Sequence, residues 1–179
     1  MVDPVAARLW SYRGVFVALI AVLAFVRILP LNTVPGGWPG PDLMLALTFA
    51  WILRRPSYVP APLIVGVFLF CDLLFQRPPG LWTLLVLVGT EFLRARQAFS
   101  REIPLLLEWA MVSAVLAVMI VADQLILSLF LLNAPAVGPQ GIQVLFTIAV
   151  YPLVVAFTSF VLGIRKASPE EVSALGARL

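Results

Sequence analysis

The chain contains no histidine and only one cysteine, Cys71, among its 179 residues. The missing histidine excludes a His general base, any His-bearing triad and every His-ligated metal site. A single thiol excludes an intrachain disulfide and any multi-thiolate zinc or iron–sulfur centre. Charge is scarce too: 12% of residues are Asp, Glu, Lys or Arg, against about 25% in an ordinary soluble domain. Such a chain cannot cover a globular surface with polar side chains, so a water-soluble monomer is not the leading reading. Disorder is excluded as well, because disorder requires low hydrophobicity. The net charge of +3 is small and forms no basic stripe, so no nucleic-acid partner is expected. No metal and no cofactor is expected either.

Hydrophobic residues are abundant, at 62% of the chain with a mean hydropathy of +1.05. They fall into six apolar runs separated by Pro, Gly and Arg. The expected fold class is an all-α membrane protein with a single domain. Its six helices are expected at about 10–30, 41–56, 60–76, 80–97, 103–132 and 141–165, followed by a cytoplasmic tail over 166–179. A spanning helix needs about 20 largely apolar residues, and the second and third runs are short. Two readings compete for 42–75: two true spans, with Arg54 and Arg55 snorkelling, or a hairpin that never crosses. Two spans are preferred, because irregular backbone exposed to lipid is so costly.

The basic residues set the orientation. With the N-terminus inside, the cytoplasmic segments hold Arg8, Arg13, Arg54, Arg55, Arg94, Arg96, Arg101, Arg165, Lys166 and Arg178, leaving only Arg27 and Arg77 outside. Such asymmetry favours both ends in the cytoplasm. Tryptophan agrees with the same count. Trp10, Trp51 and Trp109 fall near inner ends, and Trp38 and Trp82 near outer ends, where aromatic rings favour the interface. The first helix ends in Phe25-Val26-Arg27-Ile28-Leu29-Pro30, with no small-x-small cleavage site, so it is not read as a removable signal. In the tail, Ser168-Pro169-Glu170-Glu171 has capping-box spacing.

Ionisable groups inside a bilayer are costly and turn toward protein or water. Arg27, Asp42, Asp72, Arg77 and Asp123 gather near the outer leaflet; Glu91, Arg94, Glu102 and Glu108 gather near the inner one. Arg27 is expected to pair with Asp72 or Asp123. The outer group reads first as an ion pair joining helices, then as a polar face for a partner's membrane helix, then as a substrate or ion path. Asp42 follows Pro41 at a helix start, where a carboxylate satisfies free N–H groups. Glu91 and Arg94 have the i, i+3 spacing of a same-face pair. The motif around intramembrane aspartyl nucleophiles is missing, so no enzyme is expected.

From Asp42 to Leu93 the sequence resembles MreD, the rod shape-determining membrane protein family of bacteria. Pro41-Asp42-Leu43-Met44-Leu45 opens helix two, which ends near Trp51; Gly66 stands six residues before Asp72; and Gly80-Leu81 opens helix four after a Pro-rich turn. The resemblance implies a non-enzymatic scaffold in the bacterial inner membrane. It implies association with MreC, with the actin-like MreB, and with the elongation-specific transpeptidase and glycosyltransferase that build the lateral wall. It also implies a compact bundle similar to the substrate-binding subunits of energy-coupling-factor transporters. Only Gly66, Asp72 and Gly80 match the family's motif, and none carries chemistry. The alternative reading is a substrate-binding subunit of a vitamin-type transporter, which would need a polar, aromatic-lined cavity in the outer half.

Overall fold

A computed structural model describes residues 4–29, 39–100, 104–130 and 137–164. Among them are six α-helices: α1 (Pro4–Ile28), α2 (Leu43–Arg54), α3 (Ala61–Leu74), α4 (Leu81–Ser100), α5 (Leu105–Leu129) and α6 (Val137–Phe160). One 3-10 turn, Pro56–Tyr58, joins α2 to α3. No strand occurs among the described residues. Arg101, Trp38 and the tail with its capping-box sequence lie outside the described residues.

Two helices begin earlier than their sequence suggests, and proline explains both. α1 starts at Pro4 rather than near residue 10, and α6 at Val137 rather than 141. The first-turn N–H groups of a helix have no intrahelical partner, so Pro4 and Pro139 cost nothing there. At its other end α6 stops at Phe160, and Gly163 follows with a left-handed φ of +65°.

The centre of the molecule is α2. Every residue from Met44 to Arg54 is buried. The helix packs on α6 and α4 and, less extensively, on α1. Around it, α3 packs on α4, α4 on α5 and α5 on α6. α2 has 12 residues, so it is only about 18 Å long. It need not match a bilayer, because neighbouring helices surround it and carry the polar groups that meet its ends.

Trp51 is fully buried, not at an interface as expected. Its ring lies 5.4 Å from Phe16 and 6.4 Å from Tyr12, and Tyr12 in turn stacks on Tyr58 at 4.4 Å. These rings tie Tyr12 and Phe16 of α1 to the end of α2 and the turn after it. Trp109, near the start of α5, is half-buried. Its indole N–H donates to the Ile148 carbonyl at 2.8 Å. Pro152 sits inside α6 and has no N–H to offer that carbonyl four residues back. Trp109 therefore satisfies the group that Pro152 leaves open.

The outward-facing surface is apolar. Phe25, Phe70, Val118, Leu125, Leu153 and Phe160 are all exposed. α1 from Ala6 to Ile28, α5 and α6 are long and apolar enough to cross a membrane. These features are compatible with a membrane protein, since large contiguous apolar patches are rare on soluble monomers.

Candidate functional site

Polar side chains collect at the two ends of α2. At its first end, Asp42 caps the helix by accepting the Leu45 N–H at 3.1 Å. The backbone N–H of Asp42 donates to Thr147 Oγ1 at 2.8 Å, and the Thr147 hydroxyl donates to the Gln143 carbonyl. Arg27, in the last turn of α1, reaches the other carboxylate oxygen of Asp42 at 3.4 Å. Arg27 thus pairs with neither Asp72 nor Asp123. The start of α2 lies beside the end of α1, which brings Asp42 to Arg27, while Asp72 and Asp123 are engaged elsewhere.

Asp72 serves as a cap from a distance. Its Oδ2 accepts the Gly80 N–H at 3.1 Å, the Thr83 N–H at 3.1 Å and the Thr83 hydroxyl at 2.7 Å. These are first-turn donors of α4, which have no partner inside their own helix. The intervening turn is held by two bonds at the end of α3: Gln76 N–H to Leu73 O, and Arg77 N–H to Asp72 O. That is the Schellman pattern, with Gln76 at φ 54° in the place glycine usually takes. Gly80 has φ +90°, a region that side-chain-bearing residues rarely adopt. The spacing from Asp72 to Gly80 is therefore a turn-building device, and Gly66 takes no part in it.

Asp123 accepts from Gln140 Nε2 at 3.0 Å, and Gln140 also bonds Gln124. Arg77 stacks between two rings, with its guanidinium 5.5 Å from Phe75 and 5.2 Å from Trp82. Burial first, then the nearby Arg27 charge, pulls the Arg77 guanidinium below its usual range, against the opposing effect of Asp42, Asp72 and Asp123. These groups surround a cavity of about 100 Å³, lined in part by Asp42, Arg77, Trp82, Asp123, Gln140 and Thr147.

At the other end of α2, Arg54 is buried rather than solvated as expected. It donates to Glu108 at 2.9 Å and to the Ala50 carbonyl at 3.2 Å. The Tyr151 hydroxyl donates to the same Glu108 oxygen at 2.9 Å. One triad thus joins α2, α5 and α6. Arg94 pairs with Glu91 at 3.0 Å, as their spacing predicts. It also donates to the Pro56 and Val59 carbonyls, so it clamps the turn between α2 and α3. Arg96 lies over the Phe92 ring, and Arg55 follows α2 as its C-terminal cap.

The surface also carries apolar grooves. One, about 550 Å³, runs between α1 and α3, and the exposed Gly66 lies in it. A Cβ built at Gly66 would meet nothing within 4 Å. Gly89, on α4, is different. A Cβ there would come within 3.0 Å of Met119 Sδ and 3.2 Å of Val115 Cγ1. Gly89 lets α4 approach α5 and is not free for a partner.

Sequence reasoning missed Gln140, Thr147, Tyr151 and the Trp109–Ile148 bond. Only the last had a signal, since a proline inside an apolar helix requires an outside donor for the carbonyl four residues earlier. Compared with protein-family models, curated proteins and solved structures, the chain gives no significant match to any of them.

Proposed function

We propose that this chain is a non-enzymatic membrane scaffold of the bacterial cell-elongation machinery. In this reading all six helices span the inner membrane with both ends cytoplasmic, and the Asp42 end of α2 faces outward. The scaffold binds MreC through that protein's single membrane helix and links lateral wall synthesis to MreB. The resemblance of Asp42–Leu93 to MreD supplies the partners. The observation that carries the reading is the α1–α3 groove. In lipid, helices associate by close packing rather than hydrophobic drive, and glycine allows the closest approach. Gly66 is the open glycine in that groove.

The test is Gly66→Leu. A Cβ there meets nothing within 4 Å and the groove of about 550 Å³ has room for the rest of the side chain, so helicity and thermal midpoint in detergent should match wild type. Co-purification of MreC should fall sharply, and cells carrying only the variant should round up. Undiminished co-purification would overturn the groove as the partner site; normal rods after depletion of the chain would overturn the function.

The polar cavity favours a second reading, a small-molecule transporter subunit. Its volume of about 100 Å³ argues against vitamin-sized cargo, since ligand pockets for drug-sized molecules run to about 300–1,000 Å³. Retention of a vitamin by the purified protein would reverse the order.

A further inference from the structure

The cavity at the Asp42 end contains two oppositely charged groups that do not meet. The Arg77 side chain makes no ion pair and no hydrogen bond among the described residues; its guanidinium lies over the faces of Phe75 and Trp82. Asp123 is 6% exposed and accepts one hydrogen bond, from Gln140, among the described residues. Asp42 differs, since Arg27 and the Leu45 N–H already engage its carboxylate. A network serving only to hold helices together would close Arg77 onto Asp123 and fill the space. Here both line one hollow of about 100 Å³, with the neutral hydrogen-bonding groups of Gln140, Gln143 and Thr147 between the apolar walls.

We propose that this cavity is a binding site for a small zwitterion, whose anionic group meets Arg77 and whose ammonium meets Asp123. A guanidinium offers five N–H donors in a fork that fits a carboxylate or phosphate. A carboxylate accepts from an ammonium, and both bonds gain strength from being charge-assisted. A ligand carrying both charges leaves no net charge behind in an apolar bundle, whereas a simple anion or cation would add one. Size restricts the choice further. At about 100 Å³ the hollow lies below the roughly 300–1,000 Å³ of pockets for drug-sized ligands, so it suits a small ligand such as glycine or alanine. An aminoethyl phosphate headgroup presents the same pair of charges and could enter from a lipid. The site does not depend on the scaffold reading; a protein that binds MreC and one that does not could both hold it.

The experiment uses the purified full chain. Calorimetric titration in detergent with glycine or alanine should give one site and raise the thermal midpoint. Acetate and ethylamine, each carrying half the charge pattern, should bind at least about tenfold more weakly. Arg77→Gln and Asp123→Asn should each reduce zwitterion binding about tenfold or more, while Arg96→Gln should not, because Arg96 lies over Phe92 away from the cavity. The comparison among glycine, acetate and ethylamine on wild type keeps the proposal falsifiable if a variant fails to fold. Should the ligand come from a lipid, free amino acids will have no effect. Nanodiscs of phosphatidylethanolamine will then stabilise the chain over phosphatidylcholine, whose quaternary ammonium cannot donate a hydrogen bond, and Arg77→Gln and Asp123→Asn will each remove that increment. Acetate binding as tightly as glycine would overturn the proposal, as would the absence of any response to both free zwitterions and phosphatidylethanolamine.

Discussion

Arg54 and Glu108 illustrate what a charge does when apolar helices surround it. Their side chains are 5% and 0% exposed, and they meet at 2.9 Å. Removing one partner strands the other, which in soluble proteins costs about 3–5 kcal/mol. Glu108→Leu should therefore lower the thermal midpoint in detergent markedly. The double variant Arg54→Met/Glu108→Leu should recover much of that loss, because an apolar pair of similar volume carries no desolvation penalty. A double variant no better than the single one would show that Glu108 acts chiefly through Tyr151. Asp72 behaves differently, since its role is to accept hydrogen bonds. Asp72→Asn keeps an acceptor for Gly80 and Thr83 and should be mild, whereas Asp72→Ala should cost about 1–2 kcal/mol, as the loss of a cap does. Gly80→Ala should cost a similar amount, roughly 1–2 kcal/mol from the left-handed φ alone, because the added Cβ meets no neighbour. Chemical or thermal unfolding of the three variants checks both statements.

Helices are the scale at which the sequence was most legible. Long apolar runs bounded by Pro and Arg gave all six elements, because run length and helix breakers are local properties. Asp42 as the cap of α2 and Glu91–Arg94 as a same-face pair were legible for the same reason. Partnerships across helices were not. Arg27 reaching Asp42, and Arg54 turning inward to Glu108, depend on which helix lies beside which, and apolar faces with little periodicity carry no address. The Pro152 device lies between these cases. The sequence marks Ile148 as a carbonyl in need of a donor, but only packing assigns that donor to Trp109. Trp109→Phe should leave the carbonyl unsatisfied, a cost of about 1–3 kcal/mol for a buried group. In a Pro152→Ala background the alanine N–H can make the missing bond within α6, so the same Trp109→Phe change should cost less. A double-mutant cycle on thermal stability measures the difference. Equal costs in both backgrounds would mean that Trp109 contributes packing alone.

For the whole molecule, the proposed membrane placement must accommodate a 12-residue central helix. Among the described residues, only α1, α5 and α6 have the length and composition to cross by themselves. α2 can still cross if other helices supply its surroundings, and they do: Met44 to Arg54 are buried. Its ends are met by Arg27 and Thr147 on one side and by Glu108 on the other. α3, with 14 residues, ends in the turn that Asp72 organises. The alternation of chain direction then puts Pro79 and Gly138 at one face and Ser57 and Pro104 at the other, all four exposed. In the proposed topology, which rests on the basic-residue asymmetry, the Pro79 face lies outside. Single cysteines at these positions, in a Cys71→Ala background, distinguish the topologies. Pro79→Cys and Gly138→Cys should react with an impermeant thiol reagent added to intact cells, and Ser57→Cys and Pro104→Cys should react only after the membrane is opened. A hairpin over 42–75 that never crosses would leave Ser57→Cys on the Pro79 side, labelled in intact cells, and that result would refute the six-span arrangement.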